Sequence, residues 1–306
     1  MDVAPFHYTA YGLSIEADCP LPPLVARPAP TAAPHLLVQH GHVPEPPAWH
    51  PTKISRAGMD AQFAAPGPNN LLLNWPPLGR FAALNGTRIL LDTNPKADAG
   101  LVALFALSET LGLILFQRGY FLLHGSAVDV GGRALVFVGE PGAGKSTTAA
   151  AFARQGAPLL SDDMVCIQLD GAGGAAVIPA FPQLKLWQSA VTGLGLAPNQ
   201  LLPVREGVTK FSWQHALPVA ETAVPLAQIF VLQPAANRPG TLLPPSRVPV
   251  ALLGHFPLAE QLLQGLQLRH FFEQSAALAQ SVPVYEQPRP ANFTDLTAFV
   301  SHHFAA

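Results

Sequence analysis

The stretch Gly139-Glu140-Pro141-Gly142-Ala143-Gly144-Lys145-Ser146 fits the pattern GxxxxGK[ST] without a break. The chemistry that needs this spacing is the gripping of a polyphosphate. Glycines let successive backbone N–H groups turn inward around an anion, and a helix that follows points its positive end at the same place. Lys145 can then reach the outer phosphate oxygens, and Ser146 can offer a hydroxyl to Mg²⁺. Downstream, Leu160-Ser161-Asp162-Asp163 sets two carboxylates side by side. Such a pair suits phosphoryl transfer to an alcohol, one acid anchoring the metal and the other taking the hydroxyl proton. Neighbouring carboxylates push their titrations apart, so they are described as a coupled pair.

These groups need a strand before the loop, a helix after it and a second strand ending at the acids. Ala134-Leu135-Val136-Phe137-Val138 is apolar at every position, which predicts a strand buried on both faces. Thr147 to Arg154 is helix-forming. Gly131-Gly132 predicts a tight hairpin from Phe121–Val130 into the loop strand, and Gly171 to Gly174 predicts a second hairpin tip. Further strands are expected at 159–160, 164–168, 175–179 and 226–232, and helices near 146–155, 258–268, 270–281 and 293–303. Residues 1 to about 94 carry clustered prolines between short apolar runs such as Leu36-Leu37-Val38 and Ile89-Leu90-Leu91, the pattern of a small β-rich region. The apolar run Leu101 to Leu123 contains Glu109, Gln117 and Arg118 and reads as a buried helix running into a strand rather than a membrane span. The expected division is a β-rich accessory region ending in a helix, 1–117, and a P-loop domain of α/β class with a mixed sheet, 118–306.

Composition excludes several partners. Of 306 residues, 49% are hydrophobic and only 12% charged, which rules out disorder. Lys and Arg number 17 against 19 Asp and Glu, so no basic field draws nucleic acid or anionic lipid. The two cysteines, Cys19 and Cys166, form neither a disulfide framework nor a zinc pattern. With no basic-then-apolar N-terminus, the expected location is the cytoplasm. Four cations are candidates for neutralising transferred charge: Lys185, Arg205, Lys210 and Arg269. Lys185 and Lys210 lead because apolar neighbours flank each. His40, His42, His302 and His303 read as surface residues without a carboxylate partner.

Leu123-His124-Gly125-Ser126-Ala127-Val128, the loop Gly139 to Thr147 and Leu160-Ser161-Asp162-Asp163 together resemble the core of the HPr kinase/phosphorylase family. Pro179 to Trp187, Pro225 to Leu232 and the stretch from His270 to Tyr285 look more like its divergent HPr-kinase-related branch, some members of which accompany biosynthesis of lasso-type ribosomal peptides. Tyr11 to Ile15 and Leu21 to Leu24 look like that branch too. The resemblance implies an HPr-kinase-type fold, ATP and Mg²⁺ as cofactors, and phosphorylation of a serine on a peptide or small protein. It places the phosphate grip on Gly139 to Thr147, the metal on Ser146 with Asp163, the base on Asp162, and His124 near the carboxylates. The signature stretch after the acid pair and the substrate-binding C-terminal pattern of the bifunctional enzymes have no counterpart here. Homo-oligomers are compatible with this reading. The alternatives are a kinase of a small metabolite alcohol, an HPr kinase/phosphorylase proper, and a nucleotide-dependent switch ATPase. The last lacks a guanine reader after the loop, since Asn94-Pro95-Lys96-Ala97-Asp98 precedes it.

Overall fold

The computed structural model describes residues 4–22, 24–56, 58–171, 173–181, 183–197, 199, 201–203, 209–213, 222–236 and 238–305. Arg205 and the Ala172 of the second expected hairpin lie outside them. The chain divides into two compact units, Met1–Leu122 with Glu260–Gln264, and Leu123–Ala259 with Gly265–Ala306.

The first unit is built on eight strands: β1 (Phe6–Ala10), β2 (Leu13–Ala17), β3 (Leu36–His40), β4 (His50–Arg56), β5 (Met59–Gly67), β6 (Asn70–Trp75), β7 (Gly79–Leu84) and β8 (Arg88–Thr93). Their spatial order is β1-β2-β3-β8-β7-β6-β5-β4, with β3 parallel to both neighbours. The β1–β2 turn has Tyr11 at φ 52° and Gly12 at φ 68°, the two positive angles of the hairpin turn whose twist matches that of the strands. Against the sheet lie α1 (Ala99–Phe105), a π-helical turn (Ala106–Thr110) and α2 (Leu111–Gln117). Asp98 starts this run by accepting a hydrogen bond from Leu101 N at 2.9 Å. The helical run is long and apolar enough to cross a membrane, yet 67% of its most apolar window is buried inside the protein. Trp75 and Phe105 stack in the core with ring centres 4.4 Å apart.

Glu109, on the π-helical turn, is 8% exposed and accepts a hydrogen bond from Arg56 Nε at 2.7 Å. Burial alone raises its carboxyl pKa, but the Arg56 charge and hydrogen bonds from Ser108 and Arg56 outweigh it and hold the pKa below its ordinary value. A depressed carboxyl contributes stability at pH above its unfolded value and loses it as pH falls through the folded one. Arg56→Met, which strands the buried charge, is expected to cost about 3 kcal/mol at neutral pH. The loss should shrink in acid, where Glu109 is protonated, and urea unfolding at the two pH values measures both.

Two residues in this unit correct the sequence reading. His40 does have a carboxylate partner: Asp18 Oδ1 lies 3.0 Å from its Nδ1, and Asp18, Cys19 and His40 place their ligand atoms within 4.8 Å of one another. His42 Nδ1 lies 3.3 Å from Asp92. Strand pairing, not sequence spacing, supplies both acids.

In the second unit the sheet runs β12 (Leu159–Ser161), β10 (Gly125–Asp129), β11 (Ala134–Gly139), β18 (Val224–Gln233), β14 (Ala175–Ile178), β13 (Val165–Leu169); β9 is the short Phe121–Leu123 that precedes β10. It is mixed. β10 and β11 are antiparallel through Gly131-Gly132, whose φ angles are 63° and 81°. β11 and β18 are parallel, and β20 (Val284–Pro288) adds parallel to β18 while pairing β19 (Thr241–Leu242) antiparallel. All six residues of β11 are buried. A separate three-stranded sheet has β17 (Lys210–Trp213) between β15 (Leu184–Trp187) and β16 (Leu201–Pro203). The helices are α3 (Lys145–Arg154), α4 (Gln188–Gly193), α5 (Val248–Leu253), α7 (Gly265–Ser281) and α8 (Phe293–Ala305), and the short α6 (Ala259–Leu262) falls, but for its first residue, in the first unit. The expected helices at 258–268 and 270–281 are instead one turn and a 17-residue helix that begins at Gly265, φ 53°. Arg269 and His270 do not interrupt it because they sit on its exposed side.

Phe137 of β11 packs between Phe152 of α3 and Phe230 of β18, at 5.5 and 5.6 Å between ring centres. His303, expected at the surface, joins this cluster. Its ring lies 5.3 Å from Phe230 and its Nδ1 is 2.8 Å from the Phe299 carbonyl. An aromatic-faced helix at i,i+4 spacing brings it inward.

Candidate phosphate and acceptor site

β11 delivers the chain to the glycine loop at the edge of this core. Gly139 has φ 150°, and a Cβ there would come within 2.9 Å of the Leu232 carbonyl oxygen, so strand β18 approaches too closely for any side chain. Gly142 and Gly144 take φ 82° and 96°, turning the loop back on itself. Gly144 is the N-cap of α3, with no side chain capping the helix end. The start of α3 thus turns toward the loop, the arrangement a helix N-terminus offers an anion.

Lys145 is 8% exposed, and its Nζ donates to the Gly139 carbonyl at 2.7 Å and the Glu140 carbonyl at 3.2 Å. The ammonium is thus held inside the loop it serves.

The acid pair reaches the same place. β12 ends at Ser161, whose hydroxyl donates to the Met164 carbonyl and closes the turn that carries both acids. Asp162 Oδ1 accepts from Ser146 Oγ at 2.9 Å and from Ser126 Oγ on β10 at 2.7 Å; Oδ2 accepts from the Lys185 backbone N–H at 3.0 Å. Burial, then the charge of Asp163, raise the Asp162 pKa, while the three hydrogen bonds pull it back without cancelling the rise. Asp163 sits in the left-handed region, φ 68°, which Asp tolerates better than most residues. Its Oδ2 accepts from Lys185 Nζ at 2.7 Å, with both side chains mostly buried. One residue of β15 therefore holds both carboxylates, one by main chain and one by side chain.

Of the residues singled out in the sequence, Gly139 to Thr147, Asp162 and Lys185 converge directly. Ser146 bonds Asp162, whereas Asp163 is engaged by Lys185. His124 is tied through its main chain, its N–H donating to the His255 carbonyl at 2.7 Å. Lys210 lies 5.5 Å above the Trp187 ring, and Arg269 forms an exposed pair with Glu273.

Two residues of the site carry no sequence signal of their own. Ser126 is fully buried on β10, and a hydroxyl in so apolar a strand must find a partner. Gly125 beside it is needed because a Cβ would stand 2.7 Å from the Phe137 carbonyl oxygen. His255 follows the short α5. Burial lowers its pKa, Glu140 opposes that and Lys145 adds to it, so the imidazole lies in the field of the loop.

The donor set fits magnesium. Ser146 and the two acids offer only oxygen, the hard ligands Mg²⁺ prefers, beside a loop shaped for the phosphates that usually share it.

No family model matches the chain. It is 39% identical over 75 residues to an HPr kinase/phosphorylase of Clostridium beijerinckii, covering 24% of each protein. It is 37% identical over 75 residues to an HPr kinase/phosphorylase of Clostridium botulinum, covering 24% of this chain and 23% of that one. The chain thus spans about a quarter of the length of the curated relatives it matches. The solved structure of the Hpr(Ser) kinase/phosphatase from Coxiella burnetii aligns with 60% of this chain and 97% of its own, at 12% identity and a TM-score of 0.30.

Proposed function

Since the chain is similar to the HPr kinase/phosphorylases, we propose that it is an HPr-kinase-like, ATP-dependent phosphotransferase acting on a serine hydroxyl of a peptide or small protein. The observation that supports this best is the 2.9 Å hydrogen bond between Ser146 and Asp162, which sets a proton acceptor against the phosphate cradle. Either group alone would be a common turn.

In this reading the loop Gly139 to Thr147 and the end of α3 hold the phosphates in one orientation, the positioning on which phosphoryl transfer depends. Ser146 with the acid pair would hold Mg²⁺, which would supply neutralisation of charge on the phosphates. Lys145 faces the oxygens on which charge builds. Asp162 accepts the proton of the incoming hydroxyl, its raised pKa bringing it closer to the working pH than an ordinary carboxylate. Asp163, fixed by Lys185, adds negative charge on the metal side. The proposed role of His124, which lies two residues before Ser126 in the chain, is that of a positioning residue for the carboxylates.

Incubation with γ-labelled ATP and serine peptides, with an acceptor-free control, tests the proposal. Label on the serine supports it. Turnover with free small alcohols but no peptide would replace the acceptor, and ATP hydrolysis without any acceptor would favour the switch ATPase.

A further inference from the structure

The end of strand β2 brings three unlike side chains together. β2 runs parallel to β3 with Ala17 opposite Val38, so continuing the register sets Asp18 opposite Gln39 and Cys19 opposite His40. The ladder does not continue by main chain alone. Asp18 N–H still donates to the Val38 carbonyl at 3.1 Å, but the His40 N–H is taken by the Asp18 carboxylate, 2.7 Å from Oδ2. A side chain that stands in for the main chain ends the pairing and fixes its own carboxylate beside β3. Its second oxygen, Oδ1, lies 3.0 Å from His40 Nδ1, and the Cys19 sulfur joins them, all three ligand atoms lying within 4.8 Å of one another.

The chemistry of the set suits a cation rather than a nucleophile. A reactive cysteine needs a lowered pKa beside positive charge. Cys19 has the reverse: burial, then the charge of Asp18 and a hydrogen bond to it, push the thiol up to about 11. A thiol is also a weak donor, so its bond to the carboxylate returns little. A metal ion reverses the balance, because it draws the carboxylate, the sulfur and the imidazole lone pair at once and deprotonates a coordinating thiol. Sulfur, nitrogen and oxygen together select zinc over Mg²⁺ and Ca²⁺, which prefer oxygen alone. The usual bond lengths to tetrahedral zinc put its ligand atoms about 3.3 to 3.6 Å apart, between the 3.0 Å of the Asp18–His40 pair and the 4.8 Å limit of the trio. Asp18 and His40 are exposed and Cys19 is half-buried, so an ion has a way in. The His40 N–H on Oδ2 keeps Oδ1 oriented, as partners of metal ligands do.

We propose that Asp18, Cys19 and His40 form a zinc site with three protein ligands and a fourth position open to water or an outside ligand. On binding, the thiol S–H gives way to a Zn–S bond and its proton leaves to solvent. The His40 ring proton sits on Nε2, which leaves Nδ1 for the metal. The ion then clips together two strand ends whose residues Asp18 and His40 are 22 positions apart in the chain. The site lies in the first unit and rests on nothing in the kinase reading.

Co²⁺ is the probe, since a thiolate bound to it gives a charge-transfer band that oxygen ligands do not. The full chain, freshly reduced and in excess Mg²⁺, is titrated with Co²⁺, and Zn²⁺ is then added in competition. The band is expected to rise to a plateau of one thiolate per chain, to vanish as Zn²⁺ displaces Co²⁺, and to be matched by a higher Tm in Zn²⁺. Cys19→Ser should remove the band, and Cys166→Ala should keep it. Asp18→Asn and His40→Gln should each weaken Co²⁺ binding at least about tenfold, the least that losing even the partner of a ligand costs. A band that never forms, or one that survives Cys19→Ser, overturns the site. So does an affinity unchanged in both Asp18→Asn and His40→Gln, which would leave adventitious capture by one thiol only. Should Cys19→Ser fail to fold by circular dichroism, the affinities of these two variants, each altered at an exposed side chain, decide the matter. Presence or absence of phosphoryl transfer bears on none of these outcomes.

Discussion

Asp162→Asn is expected to lower kcat/KM for phosphoryl transfer by about 10²- to 10⁴-fold, the range for loss of a positioned proton acceptor. The substitution keeps the shape of the side chain and one oxygen for Ser126 and Ser146. It removes the only group at this position able to take a proton. It also turns an NH₂ toward the Lys185 backbone N–H, where a carboxylate oxygen now accepts at 3.0 Å, so a modest fall in stability should accompany the loss of activity. The pH profile supplies a readout that misfolding would not imitate. Because burial and the neighbouring Asp163 charge raise the Asp162 pKa above its ordinary 3.8, wild-type activity should fall, as pH is lowered, through a value above that figure. Asp163→Asn removes the neighbouring charge, so the same limb should move to lower pH. A limb that stays in place in Asp163→Asn would show that Asp162 is not the group being titrated, and near-normal turnover in Asp162→Asn would remove it from the chemistry.

Lys145→Met is expected to cost at least about 10²- to 10³-fold in kcat/KM, as losing one preorganised donor to developing charge does. Met matches the length of the side chain and packs in the same buried space. The loss is therefore electrostatic rather than steric. Its Nζ bonds to the Gly139 and Glu140 carbonyls also vanish, which should loosen the loop and weaken nucleotide binding along with turnover. Initial rates with labelled ATP, together with titration of a fluorescent ATP analogue, separate the two losses. Unchanged rates would mean the loop serves some ligand other than a reacting triphosphate.

The parts of this arrangement that were legible in the sequence are those fixed by local rules. A strand buried on both faces must be apolar throughout, so β11 could be read directly. A loop that curls around an anion needs glycines at set places. Lys185 stands out because a charge between leucines has to find a partner, and its ammonium finds Asp163. What could not be read depends on strand pairing across the chain. Asp18 reaches His40 over 22 residues, and the three-stranded sheet is assembled from pieces of three or four residues separated by long connections, too short to show a period. Ser126 was visible only as part of a familiar string, because its reason for being there, a buried carboxylate 36 positions away, exists only after folding. His303 was misjudged for a related reason: the aromatic partners that bury it come from a helix and a strand far upstream.

The double hold of Lys185 separates the acids in a way no change at either acid can. Its main-chain N–H stays with Asp162 whatever side chain, other than proline's ring, occupies position 185, while the ammonium belongs to Asp163 alone. Trimming that side chain therefore takes the ammonium from one member of the duo and leaves the other's main-chain bond in place, giving the experimenter a means of asking, acid by acid, which half of the division of labour each performs.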